Sequence, residues 1–143
     1  MIAFQQHYDG RFVSMLRWHQ LDDLWDRVKQ TQPNDWYVYL IGKPVPTTPI
    51  DVTALEQFIQ EVDEFLHQKH DYDYCGIVYA DDRNSPSMIK IYDPTNLGAV
   101  CGSSGIRILP RWLLTRIPPQ VIITDAPTQS KHKRWWQYLT FKR

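Results

Sequence analysis

A chain of 143 residues has the length of one ordinary domain and can bury a core without disulfide or metal staples. Hydrophobic residues make up 43% and charged residues 22%, with six Trp, eight Tyr and five Phe, which excludes an intrinsically disordered chain and predicts an aromatic core. The net charge of zero argues against a dedicated nucleic-acid binder, yet it conceals a split: residues 1–93 carry eight Lys and Arg against fifteen Asp and Glu, and residues 94–143 carry eight against one.

The N-terminus has neither a basic segment followed by an apolar one nor any apolar run of membrane-spanning length, so a cytoplasmic location without a membrane span is expected. Two cysteines, Cys75 and Cys101, are too few for a secreted disulfide framework, and both are expected to be reduced.

In chain order, "AFQQHYDGRFVSMLRW" surrounds Tyr8-Asp9-Gly10-Arg11 with β-favouring flanks, and Asp-Gly supplies the positive φ of a tight turn; a first hairpin is predicted. "HQLDDLWDRVKQTQ" places Leu21, Leu24, Trp25 and Val28 at i, i+3, i+4 and i+7, the spacing of one helical face, and "PND" ends it. "WYVYLIG" over 36–42 is apolar almost throughout, which predicts a strand covered on both faces and central in its sheet. After the Pro-rich "KPVPTTPID", a second helix begins at a capping box of Thr53 and Glu56 and carries the stripe Leu55, Phe58, Ile59, Val62, Phe65 and Leu66. "YCGIVYA", "MIKIYD", "RWLLT" and "QVIIT" predict four short strands, the first two joined by the polar turn "DDRNSPS". The expected fold is a single α+β domain over 1–143, largely an antiparallel sheet with two helices packed on one face.

Cys101 and Arg107 are separated by five residues, a spacing that resembles the C-x5-R signature of the cysteine-dependent protein tyrosine phosphatases. The resemblance implies a loop whose N–H groups and Arg107 hold a phosphate dianion while the Cys101 thiolate attacks phosphorus. Asp93 would serve as proton donor. It covers only residues 101–107. Val100 and Ile108 stand where that family usually carries His and Ser or Thr, and Pro110 interrupts the helix whose positive end would face the phosphate. Two other readings of the stretch need no catalysis. Gly102, Ser103, Ser104 and Gly105 can form a turn between sheet segments with Cys101 as a small buried hydrophobe, or, with Arg107, an anion-binding backbone nest. The turn is the expected reading.

His67 and His70 near the end of the second helix, followed by Asp71, Asp73 and Cys75, match no metal-site spacing and read as a polar helix exit; no metal and no cofactor are expected. The acids of "ADDRNSP" lack the alternating ligands of a calcium loop, and no Ser-His-Asp order stands out around Asp81, Asp82 or Asp93.

The basic aromatic C-terminal segment 130–143 is the remaining candidate. Lys131, His132, Lys133 and Arg134 precede Trp135, Trp136, Tyr138, Leu139 and Phe141, and cations beside large rings suit a protein partner, single-stranded nucleic acid or an anionic interface. The expectation is a binding or accessory module that associates with a protein partner or with itself, anchored by Arg134, Trp135 and Trp136. Cys101-dependent hydrolase or transferase chemistry is the alternative, and nucleic-acid binding through the basic half is a further one.

Overall fold

Alternation along four short strands decides which side chains each face of the sheet buries. The computed structural model describes residues 3–30, 34–69, 76–94 and 109–123. Its elements are α1 (Phe4–Tyr8), β1 (Val13–Ser14), α2 (Trp18–Gln30), β2 (Tyr37–Leu40), α3 (Val52–Lys69), β3 (Val78–Ala80), β4 (Met88–Ile91) and β5 (Trp112–Thr115). The strands form one antiparallel sheet in the order β1-β3-β4-β5-β2. The α+β class and the antiparallel sheet are as expected from the sequence.

In this register Val38, Leu114, Ile89 and Ala80 are cross-strand neighbours on one face, with Ile91 and Val78 beside them. Against this first face pack α2, through Leu21, Leu24, Trp25 and Val28, and α3, through Leu55, Ile59, Val62 and Leu66. The two helical stripes are the ones read from their spacing.

The second face carries Tyr39, Leu113 and Met88, which join Phe4, Tyr8, Ile41 and Ile122 in a smaller core. This second core corrects the reading of the N-terminus. Residues 4–8 form a helix rather than one arm of a hairpin, because Phe4 and Tyr8, four apart, then fall on one side, stack at 6.3 Å between ring centroids and both bury. Asp9 caps that helix with φ −83°, and Gly10 donates back to the His7 carbonyl at 3.0 Å in a turn that ends the helix, without the positive φ of a hairpin turn. β1 pairs with β3, far along the chain.

Both faces of the strand at 36–42 contribute to a core, Val38 to the first and Tyr39 to the second, but Leu40 is exposed, and among the described residues the strand lies at the sheet edge, bonded to β5. Apolar alternation reports which faces are covered, not how many strands flank the backbone. The segment at 120–124 is likewise corrected over its described part: Gln120 to Ile123 belong to no strand. The Gln5 side chain supplies the pair of bonds that a neighbouring strand would, accepting from the Ile123 N–H at 2.8 Å and donating to its carbonyl at 3.1 Å.

Candidate functional site

On α2 the residues Asp22, Trp25, Asp26 and Lys29 recur at i, i+3, i+4 and i+7, and on α3 so do Glu56, Ile59, Gln60 and Asp63. Side chains at that spacing line one strip of a helix. The two strips face each other across a cleft of about 620 Å³ between the helices. Trp25 and Ile59, both almost wholly buried, form its floor, and four carboxylates against one lysine line the remainder. The cleft is therefore acidic over an apolar base.

Asp63 organises one end. It accepts a hydrogen bond from the Trp25 indole N–H at 3.0 Å, and its second oxygen lies 3.7 Å from His67 Nε2. His67 in turn stacks on Trp18 with centroids 3.9 Å apart. Although Asp22 is exposed, the cleft walls remove part of its water and this raises its carboxyl above the ordinary value. Asp63 raises it further, His67 opposes, and Asp26 and Asp23 add to the rise. Mutual repulsion of carboxylates is thus built into the cleft.

A second constellation surrounds Asp81. Its Oδ2 accepts from the Ser87 hydroxyl at 2.6 Å and from His7 Nε2 at 2.8 Å, and its Oδ1 accepts from the N–H groups of Ser87 at 2.9 Å and Met88 at 3.1 Å. Burial opposes ionisation of this carboxyl, but the bonds from Ser87, His7 and Met88 outweigh it and hold Asp81 below the usual carboxylate range. The Ser87 hydroxyl donates to the carboxylate, and together the bonds from Ser87, Met88 and His7 tie the β3–β4 hairpin to α1. Asp82 completes the turn by accepting from the N–H groups of Asn84 and Ser85.

Asp93, the conjectured proton donor, accepts from Arg111 Nη1 at 2.9 Å, and the guanidinium lies over the Trp112 ring at 4.5 Å and the Phe65 ring at 5.2 Å. This ion pair joins the end of β4 to the start of β5, and the next described element after Arg107 is that strand, not a helix. Cys75, Cys101, Gly102, Ser103, Ser104, Gly105 and Arg107 lie outside the described residues, as do His70, Asp71, Asp73, Arg134, Trp135 and Trp136. Among the described residues no group of three or more His, Cys, Asp or Glu is arranged to hold a metal ion. No helix of theirs is long and apolar enough to cross a membrane.

The acidic cleft was not foreseen from the sequence. Its signal was present, because the polar i, i+3, i+4, i+7 strips border each apolar stripe, but which helix faces would meet is not encoded in either helix alone. No protein-family model, curated protein or solved structure matches the chain.

Proposed function

We propose that this chain is a protein-association module whose segment 130–143 engages a protein partner, with Arg134, Trp135 and Trp136 as anchors. Large aromatic rings and arginine give the most binding free energy per residue at protein interfaces, and this segment concentrates both. The observation that carries the reading is the acidic α2–α3 cleft. Four of the fifteen carboxylates of residues 1–93 line one concave surface of the size ligands and side chains occupy, the kind of charge that steers association with a cationic partner.

The test compares the full chain with one ending at residue 129. Sedimentation velocity reads self-association, and affinity capture reads other protein partners. Removal of 130–143 is expected to abolish association while far-UV circular dichroism and the thermal midpoint stay unchanged. Loss of the fold on truncation would instead assign the segment to the core. Tail-dependent retention on single-stranded DNA that falls steeply with salt would point to nucleic acid.

A further inference from the structure

We draw no further inference here: the strongest candidate, the acidic cleft between α2 and α3 around Asp22, Asp26, Glu56 and Asp63, is a cluster of carboxylates over the buried Trp25 and Ile59, and nothing in the structure shows what it receives.

Discussion

Asp81 accepts four hydrogen bonds through its two carboxylate oxygens, and one of the donors, His7, comes from 74 residues away. Bonds to an ionised acceptor are worth more than neutral ones, so Asp81→Asn should cost about 2 kcal/mol, read as a shift in the urea midpoint at pH 7. The pH dependence follows from the direction of the shift. The carboxyl is held below its ordinary value in the folded state, so its stabilisation is complete above the unfolded carboxylate range of about pH 4 and is lost as pH falls through the lower folded value. The stability gap between wild type and Asp81→Asn should therefore close in acid; a gap unchanged between pH 7 and pH 2 would show that charge on Asp81 is not what the hairpin uses. The local part of this network was legible, since Asp-Asp-Arg-Asn-Ser is turn chemistry within a few residues. The bond to His7 was not, because nothing in the neighbourhood of residue 7 or residue 81 signals that the two meet.

At the scale of the element, α3 illustrates how a correct helix can start at an unexpected residue. Its N-terminus is capped by Asp51, which accepts from the Ala54 N–H at 2.8 Å through its side chain and from the Leu55 N–H at 2.9 Å through its carbonyl, so the capping box at Thr53 and Glu56 is not the one used. The reason lies just upstream. The Ile50 N–H donates to the Trp36 carbonyl at 2.8 Å and fixes the chain beside β2, which leaves Asp51 as the first residue free to begin the turn. Replacing Asp51 with Ala should destabilise the protein by about 1 kcal/mol, whereas Thr53→Ala should stay within about 0.5 kcal/mol, both read by thermal or urea unfolding. Equal losses at the two positions would restore Thr53 as the cap. The start of α2 uses a side chain reaching back as well, with Gln20 Oε1 accepting from the N–H groups of Leu16 and Arg17.

For the whole molecule, the decisive feature is that one thin sheet serves two cores. Adjacent residues of β4 divide between them: Ile89 enters the core under α2 and α3, Met88 the core under α1, and neither is exposed to solvent. Removing packing from either side should therefore unfold both together. Met88→Ala and Ile89→Ala are each expected to cost roughly 2–5 kcal/mol. In Met88→Ala the tryptophan fluorescence transition, which reports the far core through Trp25 and Trp36, should coincide with the circular dichroism transition. Separate midpoints would show that the two cores melt independently. The same division separates the acidic strips of α2 and α3, which line a cleft of the helical layer, from Ile122 and Ile123, which lie against α1 on the opposite face.

Periodicity alone determined the two long helices with their buried stripes, the three strands at 78–80, 88–91 and 112–115, and the turn between the first two strands, because each depends on contacts or dihedral preferences within a few residues. Tertiary structure decided the rest. Phe4 and Tyr8 are helical because a second core exists to receive them; among the described residues the strand at 37–40 lies at an edge, paired with β5; and Gln5, not a strand, satisfies the backbone of Ile123. The acidic cleft belongs to the same class. Each helix carries its half in its own sequence, but a concave surface arises only when two faces are brought together, and that is a property of packing rather than of local pattern.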